Sequence, residues 1–371
     1  MTGTVPPLKI LAGKAVTGPV SARITIDGKR YLNFFGAGYL ALSGLPEIRR
    51  AVSRALEQGV PFAQHLPPAH GALDPIFDAV ERAAAVTCGT ESSVYFASGY
   101  LIGSVGLAGL AGAFDLIALD ESAHYSLRDA AKLCGVPTFT FAHCDVESLS
   151  DELKRKVVPG QRPLVVTDGV FPTSGEVAPL AEYAAILEPH RGRLFVDESH
   201  AFGVVGANGR GAIEHCGVEP LATSGATLSK AFCAQGAVMG CSAATAARLR
   251  AIPPIGAACA GSPLSAVAAS ASLAYVSSHP ELRSQLREMT DYLRLRLRSL
   301  ALEIIDSPAP IVSFQWGTRT DMQALQRRAF ERGIYIHYST YIGAGPEGTI
   351  RCAVFRDHSR EDIDTLVEAL R

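Results

Sequence analysis

LFVDESHAFG (residues 194–203) and, further on, TSGATLSKAF (residues 223–232) are the stretches on which the reading of this 371-residue chain turns. Leu194, Phe195 and Val196 form a short apolar run that reads as a buried strand and delivers Asp197 at its carboxyl end. Open α/β sheets bind ligands at that end. Lys230 sits among Gly, Ala, Thr, Ser, Phe and Cys, with no other charged residue between Glu219 and Arg248. Lysine is almost never buried unpaired, and a solvated surface lysine rarely keeps such company. Alone, Asp197 and Glu198 also fit a helix N-cap pair; the combination with Lys230 is what points to a site.

An amine able to form an imine, a carboxylate at a strand end and a nearby imidazole are what pyridoxal phosphate chemistry requires. A lysine holds that cofactor as a Schiff base, and its ring accepts electrons from a substrate carbanion while the pyridine nitrogen stays protonated, which a buried Asp favours. On this reading His200 reaches the cofactor's phenolic oxygen or the Asp, and Ser199 lies under the ring. YFASGYLIGSVGLAGL (residues 95–110) offers a strand, then Ser98 and Gly99, then an apolar helix of small residues whose first amides suit a phosphate. Ser98, Gly99 and Tyr100 are the candidates there, with an ordinary helix N-cap as the competing reading. Thr227 and Ser229 add hydroxyls. His124, in LDESAHYSL (residues 119–127), either stacks on the ring face opposite Ser199 or is a satisfied structural residue.

A chain that is 48% hydrophobic at this length can bury a large core and divide into one large and one smaller domain. Its net charge of −2 carries no signal for nucleic acid or anionic membranes. No apolar run reaches the roughly 18 to 20 residues of a membrane span, and MTGTVPPLKI lacks the apolar region of a signal peptide, so a cytoplasmic protein is expected. The eight cysteines (Cys88, Cys134, Cys144, Cys216, Cys233, Cys241, Cys259 and Cys352) contain no CxxC pair and no zinc-type spacing, so no metal is expected.

From about residue 70, short apolar runs alternate with amphipathic stretches, which predicts βαβ units and a mainly parallel sheet with helices on both faces, an α/β fold. Strands are expected at 94–97, 116–120, 138–142, 164–169, 194–198 and 237–242, and helices at 78–86, 178–188 and 243–252. After Pro263 a long helical region runs to about Leu302, with Pro280 breaking it in two, followed by a small α+β unit ending in a helix that starts at Ser359. The expected division is residues 1–50 as an N-terminal arm and hairpin, 51–262 as the large cofactor-binding domain, and 263–371 as the small C-terminal domain. In ARITIDGKRYLNFF, Asp27 and Gly28 fit a type I′ turn.

With these residues in hand, the chain resembles the α-oxoamine synthase family of fold-type I pyridoxal phosphate enzymes. YLNFFGAGYLALS (31–43), DGVFPTSGEVAPLAE (168–182), VDESHAFGVVGANGRG (196–211) and LSKAF (228–232) carry the resemblance, which extends over nearly the whole chain. It implies that Lys230 holds the cofactor and removes the substrate Cα proton, Asp197 pairs with the pyridine nitrogen, His200 contacts the phenolic oxygen and His124 stacks on the ring. It also implies phosphate contacts from Thr227 and from the amides of Gly99 and Tyr100, active sites built at a homodimer interface, and condensation of an amino acid with an acyl thioester, commonly with loss of carbon dioxide. The chain departs from the family where substrate is bound. Ala37 and Gly38 replace an Asn-Asp pair, AQHLPPAHGALDPIF (63–77) replaces a Gly/Ser-rich loop, and AGSPLS (260–265) leaves Ser262 as a weak phosphate contact. The arginine that often grips the substrate carboxylate has no clear match in HYSTYIGAGPEGTIRC (337–352); His337 or Ser339 falls nearby, and Arg351 either takes that carboxylate or forms a structural ion pair. Three functions remain open at this point: an acyltransferase using acyl-CoA or an acyl carrier protein, an aminotransferase or carbon–carbon lyase on the same cofactor, and a non-catalytic partner subunit.

Overall fold

The computed structural model describes residues 10–71 and 74–371; residues 1–9 of the expected arm and 72–73 of the replaced loop lie outside the described residues. The chain opens with β1 (Val16–Thr17), β2 (Arg23–Ile26) and β3 (Lys29–Asn33). In the β2–β3 hairpin Ile26 faces Lys29, and Asp27 (φ 49°) and Gly28 (φ 78°) both take left-handed conformations, as a type I′ turn requires. Helix Pro46–Glu57 then runs across residue 50.

The central sheet is built from β4 (Ser92–Phe96), β5 (Leu116–Asp120), β6 (Thr138–Phe141), β7 (Pro163–Asp168), β8 (Arg193–Asp197), β9 (Ala222–Thr227) and β10 (Ala237–Cys241). Their spatial order is β4-β10-β9-β8-β7-β5-β6. Strands β9, β8, β7, β5 and β6 pair in parallel, whereas β10 runs antiparallel to both its neighbours. The reason lies in connection length: a parallel return needs a crossover of a dozen or so residues, and the segment between β9 and β10 is too short for one. That short link carries Lys230, so the lysine stands at the same edge of the sheet as Asp197. Strands β5 and β7 are buried throughout, which accounts for their near-continuous apolar sequences.

Helix Ile102–Gly109 lies close against the sheet and its neighbouring helices because its contact positions are glycines. A Cβ at Gly106 would stand 2.1 Å from the Phe195 ring, one at Gly109 2.3 Å from Leu249, and one at Gly103 2.9 Å from Ala130. The small-residue helix seen in the sequence is therefore what allows the segment after Ser98 to approach the Asp197 strand.

Two helices, Pro263–Ser278 and Glu281–Arg298, divide around Pro280 as expected. Beyond them come β11 (Ile311–Phe314), β12 (Ile334–Tyr335), β13 (His337–Ser339) and β14 (Thr349–Ala353). Strands β11, β14 and β13 form an antiparallel sheet in that order. The last helix, Arg360–Leu370, starts with a capping box between Ser359 and Asp362. β12 pairs in parallel with β3, Ile334 beside Leu32, which stitches the described part of the arm to the C-terminal region of its own chain. Among the described residues no helix is long and apolar enough to cross a membrane.

Candidate active site

Asp197 ends β8 and is buried, flanked across the sheet by Asp168 of β7 and Gly225 of β9. Its Oδ1 accepts a hydrogen bond from the Ser199 amide at 2.9 Å, and Ser199 Oγ in turn accepts from the Thr227 amide at 3.2 Å. Glu198 points the other way. Its carboxylate accepts from the amides of Ala212 and Ile213, both at 2.8 Å, so the helix-capping role belongs to Glu198 and leaves Asp197 for the site. Burial raises the Glu198 pKa to about 7.

A cavity of about 210 Å³ opens beside Asp197, lined by Ser98, Gly99, Tyr100, His124, Asp168, Asp197, Ser199, Thr227, Ser229 and Lys230. All but Asp168 are residues that the sequence singled out. Removal from bulk water lowers the Lys230 pKa to about 8, against the opposing pull of Asp197 and Asp168. A group poised near neutrality serves both as a nucleophile toward an aldehyde and as a proton acceptor.

On the phosphate side, Ser98 caps the Gly99–Leu101 turn through a 3.2 Å hydrogen bond from the Tyr100 amide. The capping reading of Ser98 thus holds alongside its place in the cavity wall. Gly99 packs on Thr227 so closely that a Cβ there would stand 2.7 Å from Thr227 Cβ and 2.8 Å from its Oγ1. Thr227 Oγ1 lies 2.9 Å from Ser229 Oγ. Hydroxyls and the start of a helix converge at one end, with a carboxylate and an amine at the other. This donor set fits an anionic phosphate, a protonated pyridine nitrogen and an aldehyde, respectively.

His124 caps helix Tyr125–Leu133. Its Nδ1 lies 2.7 Å from Ser126 Oγ and accepts from the Ser126 amide at 3.2 Å, while its own amide donates to Asp168 Oδ2 at 2.8 Å. Burial holds its pKa below the usual imidazole range. Asp168, missed in the sequence, therefore fixes the loop that presents the ring. Its own pKa stands well above the carboxylate range because it is buried and faces Asp197.

His200 is not in the cavity wall. It is buried behind it, with Nδ1 2.7 Å from the hydroxyl of Tyr39, a second residue that the sequence did not single out. Burial and the positive charges of Lys230 and Arg351 keep its ring far below the usual pKa and hence neutral. The segment holding Tyr39 also explains one departure from the family pattern: a Cβ at Gly38 would lie 2.7 Å from Val20 and 3.1 Å from Cys233 Sγ, so no larger residue fits.

Arg351 and His337 also lie outside the cavity wall, paired across β14 and β13. Arg351 is buried and makes no salt bridge among the described residues; its Nε donates to the Pro172 carbonyl at 2.6 Å and Nη1 to the Gly36 carbonyl at 3.3 Å. The structural ion pair left open by the sequence is therefore absent among the described residues. His337 packs on Phe35 (centroids 4.2 Å), its Nδ1 is buried without a partner among the described residues, and burial beside Arg351 lowers its pKa to about 4. Ser262, at the start of helix Pro263–Ser278, makes no capping hydrogen bond.

A lysine and a carboxylate converging at the carboxyl edge of this seven-stranded sheet define a fold-type I pyridoxal phosphate enzyme. The family model for aminotransferase class I and II matches residues 35–370. The chain is 33% identical to 8-amino-7-oxononanoate synthase of Methylococcus capsulatus, over 96% of this chain and 92% of that one. It is 31% identical to the enzyme of the same name from Trichlorobacter lovleyi, over 94% and 90%. Serine palmitoyltransferase of Sphingomonas wittichii shares the fold with a TM-score of 0.89 at 23% identity, over 97% of this chain and 91% of that one. The chain belongs to the α-oxoamine synthase family, transferases that condense an amino acid with an acyl thioester.

Proposed function

We propose the following roles for this chain's residues in joining an amino acid to an acyl thioester, with an α-aminoketone as product class. The name of the curated relatives, 8-amino-7-oxononanoate synthase, describes such a compound, with amine and ketone on adjacent carbons. Pyridoxal phosphate, when bound, supplies an electron-accepting pyridinium that stabilises negative charge at the substrate Cα. Asp197 would hold the proton on the ring nitrogen, with Ser199 and His124 in the cavity wall beside the ring. Ser98, the Gly99 and Tyr100 backbone, Thr227 and Ser229 take the phosphate. His200, oriented by Tyr39, presents its remaining nitrogen to the phenolic oxygen. Lys230 Nζ carries the cofactor and then accepts the Cα proton, for which a pKa of about 8 suits it.

The observation that carries the substrate side is the buried, charge-unpaired guanidinium of Arg351, whose positive charge also lowers the pKa of Lys230. A buried cation without a carboxylate is costly, and an amino acid's carboxylate satisfies it. His337 stands opposite it across the β13–β14 pair. We further propose residues 51–262 and 263–371 as the large and small domains, and a homodimer in the cytoplasm. Exposed Phe62, Tyr100 and Tyr125 support the dimer as surface for a second copy to cover.

The test is thiol release from acyl-CoAs in the presence of single amino acids. Arg351→Ala is expected to raise KM for the amino acid on the order of 10- to 100-fold, as loss of a charge-assisted contact does. An unchanged KM removes Arg351 from that role. Conversion of the bound cofactor by keto acids without thiol release supports transamination instead.

A further inference from the structure

Away from the lysine, the loops that follow β5 and β6 bring together side chains that the cofactor chemistry does not use. Asp120, the fully buried last residue of β5, lies with its Oδ1 3.1 Å from His143 Nδ1, and its Oδ2 accepts from the Cys144 amide at 3.1 Å. The possible ligand atoms of Asp120, His143 and Cys144 all lie within 4.8 Å of one another. On the far side of the imidazole, Nε2 stands 3.5 Å from Glu176 Oε2.

We propose that Asp120 Oδ1, His143 Nδ1 and Cys144 Sγ bind a divalent transition-metal ion, zinc foremost, with a water in the fourth position. One oxygen, one imidazole nitrogen and one thiolate form a donor set that zinc accepts at about 2.0 to 2.3 Å per bond. Two ligands at such distances in a tetrahedral site lie roughly 3.3 Å apart, close to the 3.1 Å between His143 Nδ1 and Asp120 Oδ1. Glu176 occupies the place of the carboxylate that, in most histidine–metal sites, receives the proton of the other ring nitrogen and fixes the tautomer. His143 and Glu176 are partly exposed, which leaves a path for the ion. Bound there, the ion ties the loop after β6 to the loop after β5, the one that carries His124. The arrangement it competes with is an imidazolium bridging two carboxylates, with Cys144 a bystander.

The experiment equilibrates cofactor-loaded enzyme with micromolar Zn²⁺ and counts bound metal per chain, then repeats the binding with Co²⁺ and reads the thiolate-to-cobalt absorption band. One tightly held ion is expected in the parent. Cys144→Ala should lower its affinity on the order of 100-fold or more and abolish the cobalt–thiolate band, and Glu176→Gln should lower affinity about 10- to 100-fold. Both variants should retain the bound cofactor's absorbance, which verifies that they are folded. Absence of a tightly bound ion in the parent, or equal affinity in the parent and Cys144→Ala, overturns the proposal in favour of the bridging imidazolium.

Discussion

Replacing Lys230 with methionine removes a buried ammonium while keeping much of the stem, and should make the cofactor-free protein more stable. The magnitude follows from the pKa, which falls from 10.5 to about 8 on folding. At 1.36 kcal/mol per unit, the charged amine opposes folding by roughly 3 kcal/mol at pH 7. The sign is fixed by which state binds the proton more tightly. Below pH 8 the amine is protonated in both states and the penalty is complete; between pH 8 and 10.5 the unfolded chain holds more protons, so stability rises with pH. Above 10.5 the penalty is gone. Urea denaturation of cofactor-free parent and Lys230→Met should therefore show the variant ahead by up to about 3 kcal/mol at pH 7, less whatever packing is lost. The gap should close as the pH approaches 10.5. A variant less stable at pH 7, or a gap that does not change with pH, would refute a desolvated amine at this position.

Two further substitutions probe the cavity walls. Gly99→Ala drives a Cβ to within 2.7 Å of Thr227, and overpacking of this kind costs roughly 1–3 kcal/mol; dialysis should strip the cofactor faster than from the parent, and equal retention contradicts the cradle. Asp168→Asn should be well tolerated, because burial already favours the protonated form of that side chain, whereas Asp197→Asn should abolish thiol release; equal losses in the two would show that the acids share one role.

Much of the site was legible because its chemistry is written in residue types that few other contexts explain. An isolated lysine in an apolar stretch and an Asp at the end of a buried strand lead directly to the cavity. What escaped was what depends on neighbours distant in sequence. Asp168 ends the strand beside Asp197, and only the parallel register brings the two together. Tyr39 meets His200 across 161 positions. Strand β9, ATSGAT, was missed because small and hydroxyl residues give no apolar run; the sheet, not propensity, makes it a strand. The Asp120–His143–Cys144 cluster is invisible to cysteine spacing because its ligands come from two strand ends. The expected arm boundary at residue 50 falls within helix Pro46–Glu57.

Reduction of the cofactor-loaded enzyme with borohydride, followed by peptide mass analysis, shows which side chain carries the aldehyde. A single pyridoxyl group is expected, on Lys230, together with loss of the yellow absorbance in Lys230→Ala. A pyridoxyl group on any other lysine, or none at all in protein saturated with pyridoxal phosphate, would contradict that expectation.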